Sequence, residues 1–147
     1  MKPLQVNVKS NPEDLTVVRE ALRNWLATQE WNDIQVAEIV LAVDEALTNV
    51  IRHGYDGKPD MPIEFQAERF VDSHQGAGIE INVRDYGKQV DLSKICGRDL
   101  NDIRPGGLGV HLIHAMMSYA AFKHADGGGM RLVMRKYLTH FAKTSES

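Results

Sequence analysis

The stretch Glu45-Ala-Leu-Thr-Asn-Val-Ile-Arg-His-Gly-Tyr55 decides how the rest of this chain is interpreted. It completes an apolar stripe at helical spacing and predicts a helix that stops at Gly54. Glu45, Asn49 and His53 follow one another at intervals of four residues, so they line one side of that helix. A polar row of this kind is either a solvated helix face or the wall of a binding site.

Glu45 and Asn49 carry the two kinds of oxygen that chemistry at a magnesium-bound phosphate requires. The Asn49 amide oxygen can ligate Mg²⁺, which prefers oxygen ligands and keeps several waters. The Glu45 carboxylate can then take a proton from a nucleophile close to the metal-bound phosphates. Asp44, Thr48 and Arg52 are polar as well. The helix taken alone therefore leaves the solvated face and the binding site equally open.

Asp85-Tyr86-Gly87 ends a stretch of alternating residues that predicts a strand. A carboxylate at a strand end can accept a hydrogen bond from an exocyclic amine such as that of adenine. The glycine would let a ring approach the backbone closely. The alternative is an ordinary Asp-x-Gly turn without a ligand.

Arg104-Pro105-Gly106-Gly107-Leu108-Gly109 directly precedes an apolar helical pattern. Glycines at a helix N-terminus leave backbone N–H groups free to face an anion, and the helix dipole adds partial positive charge there. Arg104 could make a bidentate contact with a terminal phosphate. The spacing is not that of a Walker A loop, and the alternative is a flexible loop with a helix start.

The order of strands and helices predicts an α+β domain with helices on one face of a sheet. Capping residues and proline mark the first two helix starts, and polar–apolar alternation marks the strands. The predicted elements are a strand over 4–9, helices over 12–29 and 32–54, strands over 63–71 and 77–84, a helix over 106–117, and strands over 119–124 and 130–138.

Length and composition fit one soluble domain over residues 1–147. A formal net charge of −3 argues against a dedicated nucleic-acid binder. The single cysteine, Cys96, excludes an internal disulfide and fits a reducing cytosol, so a cytoplasmic location is expected. The N-terminal residues lack the long apolar stretch of a signal peptide or a membrane span.

In this order and spacing, the three segments resemble the GHKL, or Bergerat-fold, ATP-binding superfamily. Glu45 to Tyr55 looks like its N box, Asp85-Tyr86-Gly87 like its G1 box, and Gly107-Leu108-Gly109 like its G2 box. Within the superfamily, the N box is similar to that of anti-sigma-factor serine-protein kinases of the RsbW and SpoIIAB type. The resemblance runs from the first strand to Arg135. It implies a two-layer sandwich with a mixed, mainly antiparallel sheet and helices on one face.

The resemblance also implies ATP and Mg²⁺ as ligands and a role for each matching residue. Glu45 would be the general base that activates a serine of a partner protein, and Asn49 would ligate Mg²⁺. Asp85 would hold the adenine amine, with Gly87 beside the ring. Gly107, Leu108 and Gly109 would lie at the phosphates. Arg104 would lie near the γ-phosphate as a second catalytic group. His53 would lie at the nucleotide and Arg19 at the partner interface.

Two of these roles have alternatives, and two positions depart from the family pattern. His53 would either touch the nucleotide or only orient the N box, and Arg19 would either contact the partner or be an exposed helix charge. Gln89 stands where the G1 box often has a second glycine. Met130 stands where a threonine near the adenine is often found, which removes a polar side chain from that position.

The function implied by the resemblance is an ATP-dependent serine/threonine protein kinase and anti-sigma factor. The expected partners are a small regulatory protein of the anti-sigma-factor-antagonist type, whose serine is phosphorylated, and a sigma factor. A homodimer is compatible with the resemblance, and neither nucleic acid nor membrane is expected as a direct partner.

Other functions of the same fold are alternatives to the kinase. A non-catalytic, nucleotide-gated protein-binding switch is the nearest one, although a pure binder would not need Glu45. The catalytic domain of a sensor histidine kinase fits less well, because we expect no phosphoacceptor hairpin in front of residue 1. Chaperone and mismatch-repair ATPases of the superfamily need a following transducer domain, for which 147 residues leave no room.

Overall fold

A computed structural model describes residues 2–92 and 107–138; for residues 107–109 it describes the backbone only. The described elements are β1 (Leu4–Lys9), α1 (Pro12–Leu26), α2 (Asp33–Asn49), a π-helical turn (Val50–Gly54), β2 (Pro62–Asp72), β3 (Gly76–Asp85), α3 (Gly107–Met116), β4 (Tyr119–His124) and β5 (Met130–Tyr137).

Local sequence sets the starts of the first two helices. Pro12 occupies the first turn of α1 and acidic residues follow it, as predicted. At the start of α2, Asn32 and Gln35 form a reciprocal capping box: each side chain bonds the other residue's backbone N–H, at 2.8 and 3.0 Å. The α1 helix ends at Leu26, earlier than the predicted end at Gln29.

The five strands form one sheet in the order β1-β2-β3-β5-β4. Every pairing between the described strands is antiparallel, so the parallel pairing that a mixed sheet would contain does not occur among them. The α+β, two-layer architecture expected from the sequence is confirmed by this arrangement.

The hydrophobic core lies between the helices and one face of the sheet. Alternate residues of the central strands, such as Phe65 on β2 and Ile81 on β3, are fully buried against Leu22 of α1 and Leu47 of α2. Mostly polar side chains occupy the intervening positions on the other face, with Phe70 and Val133 among the exceptions. Within the described residues, no helix is long and apolar enough to cross a membrane.

The end of the second helix differs from the prediction. The α-helix stops at Asn49 and the chain continues to Gly54 as a wider π-helical turn, in which Tyr55 N donates to Val50 O at 2.9 Å. Single π-turns of this kind are rare and occur often at functional sites. This turn carries the second half of the Glu45–Tyr55 stretch to the end of β3.

Candidate functional site

Asp85, the last residue of β3, is the most deeply buried acidic group among the described residues. Its side chain is on the helix-covered face and its residue is 2% exposed. Its Oδ1 accepts hydrogen bonds from Gly87 N at 2.9 Å and Met130 N at 3.3 Å. Burial raises the pKa of Asp85, while these two N–H groups and the Arg84 charge act in the opposite direction. No described residue donates to its Oδ2, which leaves that oxygen as an acceptor for a ligand.

Two glycines allow the backbone around Asp85 to pack more closely than any other residue could. A Cβ atom on Gly87 would lie 2.3 Å from Gly54 O, and one on Gly129 would lie 2.1 Å from Asp85 O. Gly129 also has a φ of +78°, a conformation that glycine adopts without strain. Residues 85–87, called the Asp85 turn below, are therefore packed between the π-turn and the turn before β5.

Tyr55 locks the π-turn onto the Asp85 turn. Its ring is buried, and its hydroxyl donates to Pro62 O at 2.5 Å and accepts from Tyr86 N at 2.7 Å. Burial raises the pKa of Tyr55, which keeps the hydroxyl protonated as a donor. Lys88 N also donates to Gly54 O at 3.0 Å. The helix that carries Glu45 and Asn49 is thus anchored directly to the strand end that carries Asp85.

Glu45 and Asn49 lie one helical turn apart on α2, and both are half-buried. The Nδ2 atom of Asn49 is buried and has no hydrogen-bond partner among the described residues. A buried, unpaired amide costs about 1–3 kcal/mol unless a ligand or a water completes it. Rotation of the amide by about 180° would present its oxygen at the same place, so the residue fits a Mg²⁺ ligand.

A magnesium ion at this position would depend on ATP for most of its ligands. The described residues contain no group of three or more His, Cys, Asp or Glu side chains that could hold a metal. Mg²⁺ in nucleotide sites is commonly bound by one or two protein groups together with phosphate oxygens and water. The single amide of Asn49 is consistent with that mode of binding.

The glycine-rich segment begins α3 as expected. Gly107, Leu108 and Gly109 form the first turn of this helix, and α3 packs along α2. Their backbone N–H groups therefore belong to a helix N-terminus beside the helix of Glu45 and Asn49. Arg104, Gly106 and the rest of segment 93–106, which includes Cys96, lie outside the described residues.

The other two predicted site residues are His53 in the π-turn and Arg19 on α1. His53 is exposed in the π-turn, on the same helical path as Glu45 and Asn49. Arg19 of α1 is half-buried, and its Nε lies 2.7 Å from Asp44 Oδ1 on α2. Arg19 is thus tied to the residue before Glu45, and its role at a partner interface stays a prediction.

Sequence reasoning did not single out Tyr55 or Arg84, which hold the Asp85 turn in place. Tyr55 is the last residue of the Glu45–Tyr55 stretch, but its hydrogen bonds with Pro62 and Tyr86 exist only in the folded chain. Met130, noted for lacking a polar side chain, contributes its backbone N–H to Asp85 instead. That contact required knowledge of the register between β3 and β5.

Comparisons with known proteins agree with this geometry. The serine-protein kinase RsbW of Listeria innocua is 25% identical over 143 residues, which cover 92% of this chain and 87% of that protein. The RsbW of Halalkalibacterium halodurans is 29% identical over 143 residues, covering 92% and 83%. The similarity to RsbW-type kinases expected from the N box is confirmed.

A solved structure gives the same fold. The RsbU and RsbW domains of a Mycobacterium tuberculosis protein match with a TM-score of 0.66 and 22% identity. The match covers 93% of this chain and 32% of that longer one. A family model described as the histidine kinase-like ATPase domain matches residues 8–136. Together with the Asp85 turn and the Glu45–Asn49 helix that are docked on each other, this match shows that the chain belongs to the histidine kinase-like ATPase domain family.

Proposed function

We propose that this chain is an ATP-dependent serine protein kinase that binds and phosphorylates a small regulatory protein of the anti-sigma-factor-antagonist type. The observation that carries the proposal is the direct docking of the π-turn on the Asp85 turn through Gly54, Tyr55 and Lys88. It joins Asp85, a residue suited to bind an amine, to the helix whose Asn49 and Glu45 would serve as metal ligand and base. The similarity to RsbW kinases supports the reaction type.

The adenine end of the site consists of the Asp85 turn and the turn Asp126–Gly129 that packs on it. The Oδ2 of Asp85, to which no described residue donates, would accept a hydrogen bond from the adenine amine, since Oδ1 is already occupied by two backbone N–H groups. Gly87 would leave the backbone open to the ring.

The metal end consists of Glu45 and Asn49 of α2 together with the N-terminus of α3, the helix that packs along α2. Asn49 would offer its amide oxygen to Mg²⁺, and the first N–H groups of α3 would face the phosphates. When bound, Mg²⁺ would supply positive charge that neutralises the phosphate oxygens. Glu45 would accept the proton of the partner's serine hydroxyl as that oxygen attacks the γ-phosphorus and ADP leaves. Arg104 would stabilise the charge of the transferred group.

The partner side of the proposal is tested first. The tagged chain is incubated with cell lysate in ADP and in ATP, and captured proteins are identified by mass spectrometry. We expect a small protein that is retained with ADP and carries a phosphoserine with ATP. ATP binding by the purified chain without phosphate transfer to any captured protein would favour the nucleotide-gated switch instead.

The catalytic side uses the captured protein as substrate. Glu45→Gln should lower the transfer rate by about 10²–10⁴-fold, the usual contribution of a general base, while ATP affinity stays the same. Glu20→Gln, the same change at an exposed position of α1, is the matched control and should transfer normally. Full activity of Glu45→Gln would remove Glu45 from the proposed mechanism.

A further inference from the structure

Arg84 lies next to Asp85 in the chain but on the opposite face of β3, away from the core and the described helices. Its guanidinium donates hydrogen bonds to three backbone carbonyl oxygens, those of Asp85, Gly128 (2.7 Å) and Asp126 (3.0 Å). Asp85 O belongs to the strand end, and the other two belong to the turn that precedes β5. One side chain therefore ties these two backbone segments together.

The aromatic ring of Tyr86 also contacts the Arg84 guanidinium. The Arg84 Cζ atom lies 4.1 Å from the centre of the Tyr86 ring, and the Tyr86 hydroxyl donates to Glu64 Oε2 at 2.8 Å. A cation over an aromatic face is attracted by the ring quadrupole. The ring and the three carbonyl groups leave the guanidinium little freedom to move.

The sheet register gives Arg84 charged neighbours of both signs. It lies directly opposite Glu64 on β2 and Arg131 on β5, and an opposite charge at an opposed position stabilises a strand pair whereas a like charge destabilises it. A planar group with five donors can bridge three carbonyls at once, whereas a lysine ammonium acts as a point charge. The contacts of Arg84 thus depend on its geometry rather than on its charge alone.

The segment that Arg84 fixes provides part of the environment of the Asp85 carboxylate. Gly129 packs on Asp85 O, and the next residue, Met130, donates its N–H to Asp85 Oδ1. We propose that Arg84 is a positioning residue: by clamping the turn Asp126–Gly129 to the strand end, it orients the Asp85 carboxylate as an acceptor for a 6-amino purine. The inference rests on the proposed function, because it assumes that Asp85 binds the adenine amine.

The test compares two nucleotides and two arginines. ATP and ITP are titrated into the wild type, Arg84→Lys and Arg131→Lys. ITP has an oxygen in place of the 6-amino group and cannot donate to Asp85 from that position. We expect Arg84→Lys to bind ATP about tenfold more weakly, comparable to the loss of one hydrogen bond, and to bind ITP as the wild type does. Arg131→Lys, the change across the strand pair, should alter neither affinity.

The outcomes separate a positioning role from a structural one. A loss of ATP and ITP affinity by the same factor, or no change in Arg84→Lys, would overturn the inference while leaving nucleotide binding by the wild type intact. Absence of ATP binding by the wild type would overturn the proposed function instead.

Amide hydrogen exchange tests the clamp without any nucleotide. The N–H groups of Gly87 and Met130, which bond Asp85 Oδ1, should exchange faster in Arg84→Lys than in the wild type or in Arg131→Lys. Tyr86→Leu removes the ring under the guanidinium but keeps Arg84. It should raise the exchange rates and lower the ratio of ATP affinity to ITP affinity, as Arg84→Lys does, but by a smaller amount. Unchanged exchange in both variants would contradict the clamp, and Tyr86→Leu keeps it testable if Arg84→Lys does not fold.

Discussion

The adenine end and the metal end of the proposed site differ in how the protein satisfies their polar groups. Asp85 is buried, yet two backbone N–H groups bond one of its oxygens, and the surrounding turns are joined by Tyr55 and Arg84. Asn49 has a buried amide nitrogen without a partner among the described residues. The adenine end is thus preorganised by the fold, whereas the metal end retains a polar group that no described residue completes.

This difference predicts that substitutions at the two ends will change stability in opposite directions. At the adenine end, the contacts are part of the folded protein, and their loss should destabilise it. At the metal end, removing an unpartnered group should stabilise the protein in the absence of nucleotide, as is common when function and stability conflict.

The largest effect is expected for Gly129→Ala. An alanine there requires a left-handed conformation and places its Cβ 2.1 Å from Asp85 O. Gly127→Ala is the matched control, because Gly127 has a φ of +85° but nothing lies within 4 Å of its added Cβ. Strain should cost the control about 1–2 kcal/mol. Urea unfolding should show Gly129→Ala to be less stable than the control by a further ~1–3 kcal/mol, and equal losses would contradict the close packing.

A pH-dependent effect is expected for Asp85→Asn. Burial raises the folded-state pKa of Asp85 above its ordinary value of 3.8, so the folded state binds the proton more tightly than the unfolded state. The stabilising contribution of this group is therefore complete below pH 3.8 and is lost as the pH rises through the folded-state pKa. Asparagine keeps an oxygen for the two N–H groups and does not titrate.

Urea unfolding of the wild type and Asp85→Asn across this range measures the linkage. The stability of the wild type relative to the variant should fall as the pH rises. A relative stability that rises with pH would show that the hydrogen bonds and the Arg84 charge, rather than burial, dominate the pKa of Asp85.

A smaller effect, of opposite sign to that at Gly129, is expected for Asn49→Ala. Removal of the unpaired amide and the higher helix propensity of alanine should raise the free energy of unfolding by about 1 kcal/mol in the absence of nucleotide. Thr48→Ala, one position earlier on α2, gains helix propensity alone and should be stabilised less. A clear loss of stability in Asn49→Ala would indicate that the amide has a partner in the folded protein.

The smallest effect is expected for the Arg19–Asp44 ion pair. Both side chains are about a third exposed, and such pairs contribute about 0.2–1 kcal/mol. A double-mutant cycle with Arg19→Ala and Asp44→Ala should give a coupling energy in that range. If Arg19 also contacts the partner, Arg19→Ala should weaken capture of the partner more than Asp44→Ala does; equal weakening would limit Arg19 to its intramolecular role.

The sequence allowed the fold, and the places of Glu45, Asn49 and Asp85 in it, to be predicted, because those signals are local. Helical spacing placed Glu45 and Asn49 on one face, and strand alternation placed Asp85 at a strand end. Arg84 was not predicted, since two of its three carbonyl partners are more than 40 residues away in the turn before β5. The π-turn was not predicted either, because a wider helical turn depends on the tertiary contacts of Gly54 and Tyr55.

Isothermal titration of ATP, with and without Mg²⁺, tests most directly whether the two ends have separate roles. The wild type should bind ATP, and Mg²⁺ should strengthen binding. Asp85→Asn should lose affinity by a similar factor in both conditions, whereas Asn49→Ala should lose only the increment due to Mg²⁺. The account would be contradicted if the wild type did not bind ATP, or if Asn49→Ala kept the full Mg²⁺ increment.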